Sequence, residues 1–105
     1  MATNWMLYRI RSRWLNGNLP LLVLGLLREA DLCDWEILDS LYRRYGMTPE
    51  TREFQNLLNS LVRQGYVEVR RSKDTYRLRV RESGMKLLSE FERVYETFAR
   101  NLSAE

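Results

Sequence analysis

The feature of this sequence that most constrains its fold is a pair of short alternating segments, Tyr66 to Ser72 and Thr75 to Arg81. If Lys73-Asp74 forms the turn between them, antiparallel pairing puts the valine and leucine residues of both segments on one face of a hairpin. The apolar pairs predicted by this register are Val69 with Leu78 and Val67 with Val80. Because a shift of one residue would turn that apolar set outward, the register is strongly specified. Lys-Asp is a weaker two-residue turn than Asn-Gly, so a four-residue loop is the alternative.

The other face of this hairpin is mostly charged. The pairs predicted there are Glu68 with Arg79, Arg70 with Arg77, and Tyr66 with Arg81. A glutamate opposite an arginine is an ordinary stabilising pair, whereas two arginines directly opposite each other repel. A phosphate between Arg70 and Arg77 would relieve that repulsion, and splaying both guanidiniums into water is the alternative. The face is therefore a candidate for contact with an anion.

The residues before the hairpin have the periodicity of an amphipathic helix, predicted over residues 49–64. Thr48 is a suitable N-cap, Pro49 suits the first helical position, and Gly65 can adopt the left-handed conformation that ends a helix. The apolar face of this helix consists of Phe54, Leu57, Leu58 and Leu61. Three residues, Gly46-Met47-Thr48, would connect it to the helix before, which is the spacing of a helix-turn-helix. Followed by the hairpin, this arrangement predicts a winged helix-turn-helix.

The opposite face of that helix carries side chains that can bond to DNA bases. Arginine forms bidentate hydrogen bonds with guanine, and asparagine or glutamine does so with adenine. The candidate DNA-binding residues on the helix are Thr51, Arg52, Gln55, Asn56, Asn59 and Arg63. In the wing, residues 66–81, the candidates for phosphate contacts are Arg70, Lys73 and Arg77. A solvated helix face of the same composition is the alternative interpretation.

The helices that precede this unit are predicted from their caps and apolar patterns. An amphipathic N-terminal helix covers residues 3–15 and ends in a break at Asn16 to Asn18. The last residue of the break would cap a buried helix that contains the apolar run from Leu19 to Leu27. Asp34 would cap a third helix from Trp35 to Tyr45. The side chains expected to point inward from this third helix are Ile37, Leu38, Leu41, Tyr42 and Tyr45.

The last helix, predicted over residues 83–102, carries a long apolar stripe. The stripe residues are the candidates for a dimer interface, and they are Leu88, Phe91, Tyr95, Phe98 and Leu102, widened by Met85, Leu87 and Val94. This is more apolar surface than one side of a small domain needs to cover, so pairing with a second copy of the chain is expected. Packing against helices of the same chain is the alternative. At 105 residues, we expect one domain over residues 1–105, with residues 19–81 as the winged helix-turn-helix core.

The net charge of +3 is unevenly distributed along the chain. Residues 63–81 carry seven basic residues against two acids, and residues 1–14 carry three arginines and no acid. Residues 28–62 and 82–105 are net acidic. A basic N-terminus and hairpin on an otherwise acidic body fit a protein with one edge facing a polyanion.

The residue types present do not support catalysis or metal binding. The sequence has no histidine, which removes the commonest general base and metal ligand, and its single Cys33 excludes an internal disulfide. No spacing singles out a pair of carboxylates, and there is no glycine-rich phosphate loop. We therefore expect no enzymatic activity and no cofactor. The lone cysteine suits a reducing compartment, and the apolar run is too short to cross a bilayer, so we expect a cytoplasmic protein with no membrane contact.

Several segments resemble the PadR family of winged helix-turn-helix proteins. Leu22-Val23-Leu24-Gly25-Leu26-Leu27, followed by Trp35-Glu36-Ile37-Leu38, resembles the family's leucine-glycine-leucine-leucine run and its Gly-Tyr-Glu-Ile. Phe54-Gln55-Asn56-Leu57, with Leu61 and Gly65-Tyr66-Val67, looks like its Tyr-x-x-Leu, Leu and Gly-Leu-Ile. Val80-Arg81-Glu82-Ser83-Gly84 is similar to its Leu-Thr-x-x-Gly. The likeness covers about residues 19 to 88.

This sequence departs from the family pattern at two places. Asp34-Trp35 stands where Gly-Tyr is usual, and Arg81 stands where a helix-capping threonine is usual, so Ser83 would take over the capping. The resemblance implies a dimeric DNA-binding transcription regulator, often a repressor, that dimerises through its C-terminal helix. Some members bind aromatic effectors near the dimer interface, and the candidates for such a pocket are Trp5, Trp14 and Trp35. Core packing is the alternative role for these tryptophans.

Two other functions are compatible with the same fold. An architectural DNA-coating protein would use its arginines on phosphates without base preference. A winged-helix interaction module would instead place the wing arginines against an acidic protein surface and leave DNA untouched.

Overall fold

The computed structural model describes residues 2–103 and, for residues 2–8, 10 and 103, the backbone alone. The elements follow one another as five helices with a two-stranded hairpin before the last. In chain order they are α1 (Ala2–Gly17), α2 (Leu19–Glu29), α3 (Asp34–Tyr45), α4 (Thr51–Arg63), β1 (Val67–Ser72), β2 (Thr75–Val80) and α5 (Glu82–Ser103). This is the predicted fold class, a winged helix-turn-helix with an N-terminal helix and a long C-terminal helix.

The hairpin forms in the predicted register. The paired residues include Val67 with Val80, Glu68 with Arg79, Val69 with Leu78, and Arg70 with Arg77. Lys73, the first residue of the two-residue turn, has a positive φ of 50°, as tight hairpin turns require. At the base of the hairpin, the N–H of Arg81 donates to the carbonyl of Tyr66 at 2.8 Å. The alternative of a four-residue loop is therefore wrong.

A third backbone segment, which the sequence did not reveal, pairs with the free edge of β2. Leu32 and Leu78 exchange two hydrogen bonds, at 2.7 and 3.2 Å between nitrogen and oxygen. Leu32 lies in the short connector between α2 and α3. This bridge fixes the hairpin to the N-terminal side of α3.

The core lies between α2, α3, α4 and the base of the hairpin. The largest fully buried side chains are Phe54, Leu24, Ile37, Leu41, Val23 and Val67. The buried character of α2 and the apolar face of α4 are confirmed. Tyr42 was expected to point inward and is 62% exposed, because α3 buries one narrow face and this tyrosine lies beside it. Gly84 allows α5 to approach the hairpin, since a Cβ there would meet the carbonyl oxygen of Tyr66 at 2.6 Å.

Two helices begin at other residues than predicted. The N-cap of α4 is Glu50 rather than Thr48, because a residue before proline is driven out of the helical conformation and the backbone stays extended through Glu50. Five residues therefore connect α3 to α4, not three. The N-cap of α3 is Cys33, and Asp34 is its first helical residue. The Glu36 carboxylate accepts the Cys33 N–H at 2.9 Å, which does the capping expected of Asp34.

The observed ends of α1, α2, α4 and α5 agree with the predicted caps at some residues and differ at others. Gly65 has φ +83°, and the Gly65 and Tyr66 N–H groups close the end of α4, as predicted. Helix α5 begins at Glu82, so Ser83 does not cap it; its Oγ donates to the Gly65 carbonyl at 2.7 Å. Helix α1 continues through Gly17, past the predicted break. Asn18 is the N-cap residue of α2, as predicted, but its side-chain amide donates back to the Trp14 carbonyl at 2.7 Å and makes no capping hydrogen bond.

Candidate nucleic-acid interface

The outer face of α4 presents four polar side chains in a row. These exposed residues, spaced four, three and four apart, are Arg52, Asn56, Asn59 and Arg63. Among the side chains that the structure describes, no carboxylate lies within 4 Å of Arg52 or Arg63. Thr51 is exposed at the first turn of the same helix. With 13 residues, α4 is about 20 Å long, which suits insertion into a DNA major groove.

Gln55 differs from these four because it is half-buried and held by α3. Its Nε2 donates to Oδ2 of Asp34 at 3.2 Å. The other oxygen of Asp34 accepts the backbone N–H of Trp35 at 2.8 Å, which fixes the carboxylate. Burial, followed by interaction with the Asp34 carboxylate, raises the pKa of Tyr76 in β2. Asp34 therefore lies where α3, α4 and the hairpin meet.

On the charged face of the hairpin, acids from the α2–α3 connector and α3 neutralise two arginines. Arg77 donates to the Glu36 carboxylate at 2.9 Å and to the Asp31 carbonyl at 3.1 Å. Arg79 donates to both oxygens of the Asp31 carboxylate, at 2.8 to 3.2 Å. The hydrogen bond from Arg79 lowers the pKa of Asp31, and the Cys33 N–H is the main cause of the lowered pKa of Glu36.

These pairs correct two expectations about the same face. Glu68 and Arg79 face each other in the register as predicted, but among the described ion pairs Arg79 binds Asp31 and Glu68 contacts Arg70 at 3.9 Å. The repulsion expected between Arg70 and Arg77 is relieved by the glutamate of α3, so an anion between them is not needed. The physical reason is tertiary, since α3 packs its acidic N-terminal turn against this face.

Arg71, which was not among the predicted DNA-binding residues, lies on the apolar face of the hairpin opposite Tyr76. Together with Gln55 and Asn59 it lines a groove of about 210 Å³ between α4 and the hairpin. Within the described side chains, neither Arg71 nor the exposed Lys73 of the turn has a carboxylate within 4 Å. The predicted register already placed Arg71 on the side of Val69, so it could have been found from the sequence.

The outer half of α5 exposes apolar side chains. The exposed fractions are 64% for Val94, 50% for Tyr95, 60% for Phe98 and 67% for Leu102. Phe91 is half-buried, with its ring centroid 6.4 Å from that of Trp14. Leu88 is only 5% exposed, so this member of the predicted stripe is already covered within the chain. The uncovered surface of α5 therefore starts near Phe91 and continues to Leu102.

Two of the three tryptophans proposed for an effector pocket, Trp14 and Trp35, lie in different parts of the structure. Trp14 contacts Phe91 and Tyr95 of α5. Trp35 is 66% exposed and lines a separate groove beside the hairpin turn. The side chain of Trp5 lies outside the described residues. An aromatic effector stays a prediction.

The described part of the chain shows neither a metal site nor a membrane-spanning helix. Between residues 2 and 103, no group of three or more histidine, cysteine, aspartate or glutamate residues is placed to hold a metal ion. Over the same residues, none of the helices combines the length and the apolar character needed to span a bilayer.

No family model matches the chain, and no curated protein matches it by sequence. Solved structures do match. A transcriptional regulator from Clostridium thermocellum has a TM-score of 0.74 at 19% identity, covering 88% of this chain and 93% of that one. A PadR family transcriptional regulator from Eggerthella lenta has a TM-score of 0.72 at 23% identity, covering 98% and 94%. At these identities the likeness shows the fold, and at that level the resemblance to the PadR family is confirmed.

Proposed function

We propose that this chain is a DNA-binding transcription regulator that acts as a homodimer, with α4 in the major groove and the hairpin as a wing on the phosphate backbone. The observation that carries the proposal is the outer face of α4. Among the described side chains, its two arginines have no carboxylate within 4 Å, and they flank two asparagines that can read base edges. Arginines that serve only to stabilise a fold are expected to look like Arg77 and Arg79, each of which is held by an acid of the same chain.

The wing adds basic side chains beside α4 that are placed to bind phosphate. Lys73 extends from the turn, and Arg71 lies in the groove next to α4. Arg70 has only a weak contact to Glu68, whereas the charge of Arg77 is already compensated. We therefore assign phosphate contacts first to Arg71 and Lys73, then to Arg70, and give Arg77 the smallest part of the predicted set.

The uncovered surface of α5 supports the homodimer. It joins Phe91, Tyr95, Phe98 and Leu102 into one stripe, and Val94 and Trp14 lie at its edge. A second copy of the same helix would cover this stripe, and a two-fold dimer would present its two α4 helices to half-sites about one helical turn of DNA apart. Occupying such a site in front of a gene would repress transcription, which is the mode we expect.

The test is selection of bound duplexes from a library with a randomised central region, followed by titration of the enriched and scrambled duplexes at several salt concentrations. Tight binding to the enriched duplex alone, with an affinity that falls steeply with salt, is the expected result. Equal binding to both duplexes would show an architectural protein. Absence of binding at low salt would overturn the DNA proposal and leave a protein-interaction module.

A further inference from the structure

The contact between Asp34 and Gln55 joins the first turn of α3 to the DNA-facing side of α4. Asp34 is half-buried, its Oδ1 is occupied by the Trp35 N–H at 2.8 Å, and its Oδ2 accepts Nε2 of Gln55 at 3.2 Å. The Tyr76 side chain borders the grooves on both sides of this contact. Of the α4 side chains predicted to read DNA, Gln55 is the one that the structure shows hydrogen-bonded to another element.

The chemistry of this contact decides which way the Gln55 amide points. An ionised carboxylate only accepts hydrogen bonds, so it selects the amide orientation with Nε2 towards Asp34 and Oε1 away from it. One N–H is then occupied, while Oε1 and the second N–H remain. These are one acceptor and one donor, the pair with which glutamine binds the N6 and N7 edge of adenine.

Among the hydrogen bonds of the described residues, the one to Asp34 is the only one that the Gln55 amide makes, so its loss would leave the amide free to rotate. A free glutamine can rotate its amide and present either the oxygen or the nitrogen to a given base atom, so it tolerates more than one base. Holding a reading residue by a neighbouring hydrogen bond also removes part of the entropy lost on binding. The groove between α4 and the hairpin leaves the far side of Gln55 open to a ligand.

We propose that Asp34 is a positioning residue that fixes the Gln55 amide so that the protein selects adenine at the base pair facing Gln55. This inference rests on the proposed function. It gives Asp34 a role in DNA specificity although Asp34 itself does not touch DNA.

The position read by Gln55 is first located as the one at which Gln55→Ala abolishes the base preference of the wild type. The experiment then uses four duplexes that differ only in the base pair at that position. The proteins compared are the wild type, Asp34→Asn, Gln55→Ala and the double variant. For the wild type, we expect adenine to be preferred about tenfold or more over the other bases, as for a bidentate contact. In Asp34→Asn, whose amide can both donate and accept, the preference falls to about threefold or less. In the Gln55→Ala background, Asp34→Asn does not change the base preference further, since the two residues act as one unit in selecting the base.

Asp39→Asn is the matched control for charge. Asp39 is exposed on the same helix, pairs with Arg43 and makes no contact with Gln55. Both asparagine variants remove one negative charge and raise affinity for all duplexes through the weaker repulsion of phosphate. Only Asp34→Asn is expected to reduce the ratio of affinities between duplexes.

The side-chain amide protons of Gln55 in the wild type give a readout that needs no variant to fold. We expect one of them to be shifted downfield by the carboxylate, in contrast to those of the exposed Gln64. Gln55 signals that match those of Gln64 would overturn the inference. So would an unchanged adenine preference in Asp34→Asn, a result that leaves the proposed function standing. A wild type that enriches no sequence overturns both proposals together.

Discussion

Two surfaces of this molecule lack partners in opposite ways. On α4 and the wing, cationic side chains such as Arg52 and Arg71 have no carboxylate within 4 Å among the side chains that the structure describes. On the outer half of α5, large apolar side chains such as Phe98 and Leu102 are exposed to solvent, by 60% and 67%. The cationic surface on α4 and the wing suits contact with a polyanion, and the apolar surface on α5 suits contact with another apolar surface. One chain therefore carries two surfaces suited to different kinds of partner.

The two faces of the wing differ in whether their arginines have a carboxylate partner. Both faces carry arginines, but the acids of the α2–α3 connector and α3 neutralise Arg77 and Arg79. Arg71, on the other face beside α4, has no ion pair with any carboxylate that the structure describes. A basic residue in the sequence is therefore a weak indication of DNA contact until its carboxylate neighbours are known.

The largest expected effect is at the apolar surface. Phe98→Asp would place an unpaired carboxylate in the centre of the proposed dimer interface, which we expect to raise the dissociation constant of the dimer at least about 30-fold, as for the loss of a central interface residue. Sedimentation velocity over a range of concentrations measures this. Ser89→Asp adds the same carboxylate on the opposite, exposed side of α5 and leaves the dimer intact. Equal dimer dissociation constants for the two variants would show that the apolar surface is not part of the dimer interface.

The next effect is at the outer face of α4. Arg52→Ala should lower the affinity for the enriched duplex by about 10- to 100-fold, because a bidentate contact to guanine contributes about 1–3 kcal/mol. The control is Arg100→Ala, which removes the same charge from the far end of α5. Fluorescence anisotropy with a labelled duplex gives both affinities. If the two variants bind alike, Arg52 does not contact a base.

A smaller effect separates the two faces of the wing. Arg71→Ala should reduce the slope of log affinity against log salt by about 0.9, the value for one lost phosphate contact. Arg77→Ala should leave that slope near the wild-type value, since its guanidinium stays with Glu36. Titrations at four or more salt concentrations give the slopes. A larger change for Arg77 than for Arg71 would reverse the assignment of the two faces.

The smallest effect concerns the acid that holds Arg79. The hydrogen bond from Arg79 lowers the pKa of Asp31 below its ordinary value of 3.8. The stability contributed by Asp31 is therefore complete above that value and is lost as the pH falls through the lower pKa of the folded protein. Asp31→Asn should lower the free energy of unfolding at pH 7 and make it depend less on pH below pH 4. Urea unfolding of the wild type and the variant at pH 7 and below pH 4 measures this. The same pH dependence of the unfolding free energy in both proteins would contradict a stabilising role for the Asp31–Arg79 pair.

Sequence patterns were sufficient for the local parts of this fold. Alternation fixed the hairpin register because an error of one residue would expose every buried side chain of Val67, Leu78 and their neighbours. The apolar face of α4 followed from helical spacing in the same way. Both patterns act between residues that are close in sequence, so they can be read without knowledge of tertiary structure.

The unpredicted parts depend on contacts between distant segments. Arg77 and Glu36 are 41 residues apart, and Arg79 and Asp31 are 48 residues apart, so no local spacing relates them. The bridge between Leu32 and Leu78 is of the same kind. As a result, the sequence could indicate a basic wing, but it could not show which of its cations remain available to DNA.

The measurement that tests the account most directly is a map of backbone amide shifts in ¹⁵N-labelled protein on addition of the enriched duplex. The account predicts that the shifted signals belong to α4, residues 51–63, and to the wing near residues 70–74. Signals from the outer half of α5 should stay in place, because that surface is proposed to lie against the second copy of the chain. Shifts concentrated on α5, with α4 and the wing unchanged, would contradict the assignment of the two surfaces.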